Sequence, residues 1–196
     1  MTRKEDVDFA VSLGVDALGF ILAESPRKIE VAEAVNLSED LPPFISRVAV
    51  VVNPDQVLLD KIVESGVFDY IQFHGSEDIS MLQSVPLKTI KAISISDSSD
   101  LREIEKYRSY ADFLLFDTKI GNQTGGTGRA FDWSLLADLN LENKFILAGG
   151  LGPDNIELAL KTLNPPAVDI NSKIEISPGL KEHKLMEEVV SKIYNF

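Results

Sequence analysis

Phe145-Ile146-Leu147-Ala148-Gly149-Gly150-Leu151-Gly152-Pro153-Asp154-Asn155 runs from an apolar stretch through a glycine-rich turn into the start of an amphipathic segment. A short run that is apolar without alternation suits a strand covered on both faces, as in a parallel sheet. The same unit recurs in both directions. Strands are predicted at 17–22, 47–52, 70–73, 89–93, 113–116, 145–148 and 167–170. Amphipathic stretches predict helices near 4–13, 30–37, 54–64, 77–83, 100–107, 133–137, 154–163 and 181–194. Start signals are Asn53 before Pro54, Ser76 before Glu77, Ser99 before Asp100, and Asp132 before Trp133.

The chain opens on a helix, with Thr2-Arg3-Lys4-Glu5 reading as a capping box on Thr2. Each helix of a (β/α)8 barrel follows its own strand. Seven strands with eight helices therefore predict an α/β TIM barrel without its first strand, as one domain over 1–196. An open doubly wound sheet is the rival, although such sheets usually have about five or six strands. Without a first strand, segments 17–22 and 167–170 become sheet edges with a gap between them. Unpaired edges invite association with another chain.

Composition narrows the function classes. The 196 residues carry 19 Lys and Arg against 31 Asp and Glu, a net charge of −12. That balance argues against nucleic-acid partners, which need basic patches. No apolar run approaches the ~18 residues of a membrane span, and the first residues lack the core of a signal peptide, so a cytoplasmic location is expected. With no cysteine and only two histidines, His74 and His183, a metal site is not expected.

Four constellations follow strand candidates, and in a barrel these positions share the face that carries the active site. Gly149-Gly150, paired with Val168-Asp169-Ile170-Asn171-Ser172-Lys173 after the next strand, suits a phosphate site. The plainer reading is a pair of glycine turns. Asp117 ends an apolar run before the glycine-rich loop 121–128. Partial desolvation there favours the protonated form a general acid needs, the alternative being a solvated aspartate at a strand end. Gln72 and His74 close another strand, where the imidazole serves either chemistry or core hydrogen bonding. Arg27, in Ser25-Pro26-Arg27-Lys28, suits a planar carboxylate. Lys91, inside Ile90-Lys91-Ala92, requires a partner or a function.

Together these segments resemble the phosphoribosylanthranilate isomerases of tryptophan biosynthesis. The similarity runs through Thr2-Arg3-Lys4-Glu5-Asp6, Asp16-Ala17-Leu18-Gly19-Phe20, Leu41-Pro42-Pro43-Phe44, Gln72-Phe73-His74-Gly75, Gly125-Gly126-Thr127-Gly128, Phe131-Asp132-Trp133, Leu147-Ala148-Gly149-Gly150-Leu151, Glu175 and Ser177-Pro178-Gly179-Leu180-Lys181. The resemblance implies a TIM barrel that catalyses an Amadori rearrangement of a small phosphorylated substrate without metal or organic cofactor. It implies Asp117 as general acid and Arg27 as the grip on the anthranilate carboxylate. Gly149, Gly150, Asn171, Ser172 and Lys173 match its phosphate loops, and Gln72, His74 and Asp169 match its pocket lining. Two departures stand out. The family has a Lys-Ile-Cys-Gly strand just before the threonine matched by Thr2, and its cysteine is the general base; this sequence begins at Met1 and has no cysteine. Lys173 stands where many members have glycine. The expectation is an isomerase read from an internal methionine and impaired in this form. The alternatives are a non-catalytic barrel that binds phosphate and carboxylate, and another phosphate-gripping barrel such as an indoleglycerol-phosphate synthase or a ribulose-phosphate epimerase.

Overall fold

Successive side chains of a strand point to opposite faces, so a sheet curled towards one side has an inner and an outer set of residues. The computed structural model describes residues 1–95, 100–118, 136 and 144–196. Its elements are α1 (Lys4–Ser12), β1 (Ala17–Ile21), α2 (Val31–Ser38), β2 (Ser46–Val51), α3 (Gln56–Ser65), β3 (Tyr70–Phe73), α4 (Ile79–Ser84), β4 (Lys88–Ile95), α5 (Leu101–Tyr107) and β5 (Phe113–Thr118). They continue with β6 (Phe145–Ala148), α6 (Ile156–Leu163), β7 (Ala167–Val168), a 3-10 turn (Ser172–Ile174), β8 (Glu175–Ser177), β9 (Leu180–Lys181) and α7 (His183–Tyr194).

The seven strands β1 to β7 pair in sequence order, all parallel. No pairing links β7 back to β1 among the described residues, so the curled sheet is open along that side, as the strand count predicted. The outer set, Phe20, Ala49, Val51, Ile71, Phe73, Ile93, Leu114, Phe116 and Leu147, packs with helix residues such as Leu59, Ile62, Leu82, Ile104 and Ile156 into the main core. The inner set forms a smaller cluster of Val48, Ile90, Ala92, Leu115 and Ala148, without helix residues.

Several sequence expectations need correction. The seven strands gain two companions, the antiparallel pair β8–β9, which are too short to show periodicity. The helix expected at 133–137 lies outside the described residues apart from the helical, buried Leu136. The loop 121–128, with Gly125-Gly126-Thr127-Gly128, also lies outside them, as do Ser99 and the Phe131-Asp132-Trp133 stretch. Thr2 does not cap α1: Arg3 holds the cap position without a side-chain bond, and the Thr2 hydroxyl donates to the Gly179 carbonyl at 2.6 Å. Asn53 and Ser76 give way to Asp55 and Asp78, whose carboxylates accept from Leu58 N and Met81 N. Asn53 instead adopts a left-handed φ of 44° and accepts a hydrogen bond from Ser76 N at 2.8 Å, tying two strand-end loops together.

Phe116 is fully buried in the sheet–helix layer. Phe116→Ala leaves a cavity there and is expected to cost about 3–5 kcal/mol, read from chemical denaturation midpoints.

Candidate active site

Parity carries the site. On β3, Tyr70 and Gln72 face inward while Ile71 and Phe73 face the helices, so the next residue, His74, is inward again. On β5, Phe116 is outward and Asp117 inward. One side-chain line results: Gln72 Nε2 lies 3.2 Å from His74 Nδ1, and His74 Nε2 lies 3.2 Å from Asp117 Oδ2. The two ring nitrogens of His74 thus bridge the Gln72 amide and the Asp117 carboxyl group. Gln72 is 5% exposed, whereas the His74 and Asp117 side chains are 31% and 26% exposed. The amide is buried, and the imidazole and the carboxyl group remain reachable from solvent.

Asp169 follows β7, its backbone N–H donating to Leu147 O at 2.8 Å. Its side chain is exposed. Desolvation pushes its carboxyl above the usual range and the Asp117 charge adds to the push, while His74 and Lys181 pull the other way.

A second cluster begins at Arg27, after β1. Its Nε lies 2.9 Å and its Nη2 2.6 Å from Glu175 Oε2, a side-on grip of one carboxylate. Glu175 Oε1 also accepts from Lys181 Nζ at 3.1 Å, and Lys181 reaches the Asn171 side-chain oxygen at 2.7 Å. Burial works against the Glu175 charge, but the Arg27 and Lys181 hydrogen bonds outweigh it and hold the carboxyl below its ordinary range. Desolvation lowers Lys181 despite Glu175 beside it, and the Glu175 hydrogen bond raises Arg27.

Gly149 and Gly150, after β6, take left-handed φ values of 90° and 65°, which favour glycine. Asn155 shapes their loop: its Nδ2 donates to Gly150 O at 3.0 Å, and its Oδ1 accepts from Gly152 N at 2.9 Å. Ser172 and Lys173 are exposed at the 3-10 turn. A Cβ on Gly152 would stand 2.5 Å from Lys173 Cβ, so the lysine stem seals the β6 loop against the β7 loop. The structure thus brings Gln72, His74 and Asp117 into direct contact, and joins Arg27 to Asn171 through Glu175 and Lys181. The organising roles of Glu175 and Lys181 were not read from the sequence, although both lie in segments that carry the resemblance. Among the described residues no group of His, Cys, Asp or Glu is arranged to hold a metal, and no helix is long and apolar enough to cross a membrane.

A curled parallel (β/α) sheet with an aspartate–imidazole pair and a glycine turn at its strand ends defines the barrel class of enzymes that work at that face. Residues 1–192 match the family model described as N-(5'phosphoribosyl)anthranilate (PRA) isomerase. The chain belongs to the N-(5'-phosphoribosyl)anthranilate isomerase family. It is 54% identical over 193 residues to the Petrotoga mobilis enzyme of that name, covering 98% of this chain and 93% of the relative. A Thermotoga neapolitana relative is 38% identical over 197 residues, with 98% and 94% covered. Among solved structures, phosphoribosyl anthranilate isomerase from Thermotoga maritima superposes with a TM-score of 0.89 at 32% identity, covering 100% of this chain and 96% of that one. A phosphoribosyl anthranilate isomerase in complex with reduced 1-(o-carboxyphenylamino)-1-deoxyribulose 5-phosphate gives 0.87 at 31% identity, with the same coverage.

Because the folded-state carboxyl of Asp169 titrates above its unfolded value of 3.8, its ionisation opposes folding once both states are charged. Asp169→Asn is expected to raise the thermal midpoint at pH 7. The advantage should vanish at pH 3, where the carboxyl is protonated in both states.

Proposed function

We propose that these residues perform the isomerisation named for the family, the Amadori rearrangement of N-(5-phosphoribosyl)anthranilate to 1-(2-carboxyphenylamino)-1-deoxyribulose 5-phosphate. The observation that carries the reading is the convergence of Asp117, His74 and Gln72 at inward strand ends. Ring opening needs a proton on the ribose ring oxygen; the C1–O bond then breaks and the nitrogen lone pair forms a C=N bond. Asp117 is assigned as the donor. The C2 proton must next be removed, and the resulting enolamine becomes a ketone by gaining a proton at C1 and losing the hydroxyl proton at C2. His74 keeps the Asp117 carboxylate oriented between these steps, and the raised Asp169 carboxyl faces the same space.

Arg27 is assigned to the anthranilate carboxylate. Glu175 takes its Nε and Nη2 edge, leaving Nη1 for a second carboxylate, so the ion pair aims the guanidinium. The glycine turn of Gly149 and Gly150, with Asn171, Ser172 and Lys173, is assigned to the phosphate. Two left-handed glycines let backbone approach an anion closely, and the Lys173 stem packs against the glycine loop at Gly152. No cofactor enters the scheme. A small phosphorylated metabolite as substrate fits a cytoplasmic location.

The 196 residues contain no cysteine, the residue type that the resemblance makes the base. Acid without base predicts slow turnover. Placing a Lys-Ile-Cys-Gly strand ahead of Met1 is expected to raise kcat/KM about 10²–10⁴-fold, followed by consumption of substrate made in place from anthranilate and phosphoribosyl pyrophosphate. Asp117→Asn in that extended protein should remove a similar factor from kcat and leave KM nearly unchanged. Inactivity of the extended protein, with substrate binding retained, would favour the non-catalytic binding reading. The synthase alternative loses its support, because Lys91 faces the helix layer rather than the mouth.

A further inference from the structure

Lys91 and Glu77 form a buried ion pair on the outer side of the sheet, away from the catalytic mouth. Their side chains are 3% and 0% exposed, with Nζ 3.1 Å from Oε2. Burying two charges is unfavourable unless the geometry satisfies both, and an apolar pair of similar volume often serves stability as well. Stability alone is therefore a weak reason for this pair; Lys91 Nζ does donate to Ala92 O at 3.0 Å, but its other backbone bonds, with that of Gly75 N to Glu77, fall on one short segment. Lys91 Nζ donates to Phe73 O at 3.2 Å and Gly75 O at 2.7 Å, the carbonyls on either side of His74. The Glu77 carboxylate accepts from Gly75 N at 2.9 Å and from Asn53 N at 2.8 Å. His74 N donates to Val51 O at 2.8 Å. Every backbone polar group from Phe73 O to Gly75 O except the His74 carbonyl is thus tied to β2, β4 or Glu77.

Three further contacts fix the pair itself. Tyr107 of α5 donates its hydroxyl to Glu77 O at 2.8 Å, and the Lys91 ammonium lies 5.3 Å from that ring's centre. Gly75 is closed to any side chain: an added Cβ would stand 2.6 Å from Asn53 Oδ1 and 2.8 Å from Glu77 Oε1. A positively charged end under two carbonyls and a negatively charged end under two amides leave the turn one arrangement. That arrangement sets the imidazole 3.2 Å from Asp117.

We propose that Glu77 and Lys91 are positioning residues for the reaction: their ion pair locks the turn that aims His74 at Asp117. The inference rests on the assignment of Asp117 to proton transfer with His74 orienting it, and its test is chosen to separate the two. The double substitution Glu77→Gln with Lys91→Met removes both charges together, so no lone buried charge remains. Tyr107→Phe is a milder companion that keeps both charges and removes one bond to Glu77. With only two histidines in the chain, the ring signals of His74 and His183 can be followed separately by NMR. The expected result is a displaced or broadened His74 ring signal and a changed pH response, with His183 unmoved. In the isomerase assay kcat should fall about 10²-fold, the scale of a 1 Å misplacement, while KM stays within about twofold. An unchanged His74 spectrum and unchanged kcat beside a lowered thermal midpoint would overturn the proposal and leave a structural ion pair. If the double variant does not fold, Tyr107→Phe decides: an unmoved His74 signal overturns the proposal and a moved one supports it. If the unsubstituted protein and its strand-extended form show no isomerase activity, the proposed function fails, and the spectra still decide whether the pair places His74.

Discussion

The site exists because a strand can show a given side chain to only one of two faces, and this sheet has unlike faces. Outside lies the apolar layer shared with the helices, inside a small cluster that gives way to polar groups at the strand ends. Displacing β3 or β5 by one residue would turn Gln72, His74 and Asp117 into the helix layer and bring Phe73 and Phe116 into the mouth. The hydrophobic pattern of the outer face therefore selects which polar residues become available for chemistry. The same rule explains Lys91, whose parity places it with Phe73, its register partner on β3.

Electrostatics then divides the strand-end face into two parts. Around Arg27, opposite charges are matched in a closed chain through Glu175 and Lys181 to Asn171, which holds the guanidinium still without exhausting its donors. Around Asp117 and Asp169 the charges are of like sign, eased by an imidazole. A matched cluster suits recognition and a mismatched one suits proton movement, since only the second gains from changing its protonation.

Much of this was legible in sequence wherever a short-range rule applied. The seven parallel strands followed from their apolar runs, the open side from the excess of helices over strands, and Gln72, His74 and Asp117 from their places at strand ends. The failures share a cause: a distant partner outcompeted a local one. The Thr2 hydroxyl left its own helix for Gly179, and Asn53 joined Ser76 rather than capping the next helix. The β8–β9 pair turns at Pro178-Gly179 on strands too short for any period to register. The partner of Lys91 was also illegible, since Glu77 lies across a loop that brings it back beneath the neighbouring strand.

The ladder between β4 and β5 joins six residue pairs, from Ile90–Phe113 to Ile95–Thr118, whereas β6 and β7 share two. Amide protons on the longer ladder should exchange more slowly than those of β7. Asp117 stands on the longer ladder and Asp169 just beyond the shorter one. A ligand that touches both would tie the shorter ladder to the longer one. Part of its binding free energy would appear as slower exchange in the C-terminal quarter, so that the occupied protein becomes a more uniform solid than the empty one.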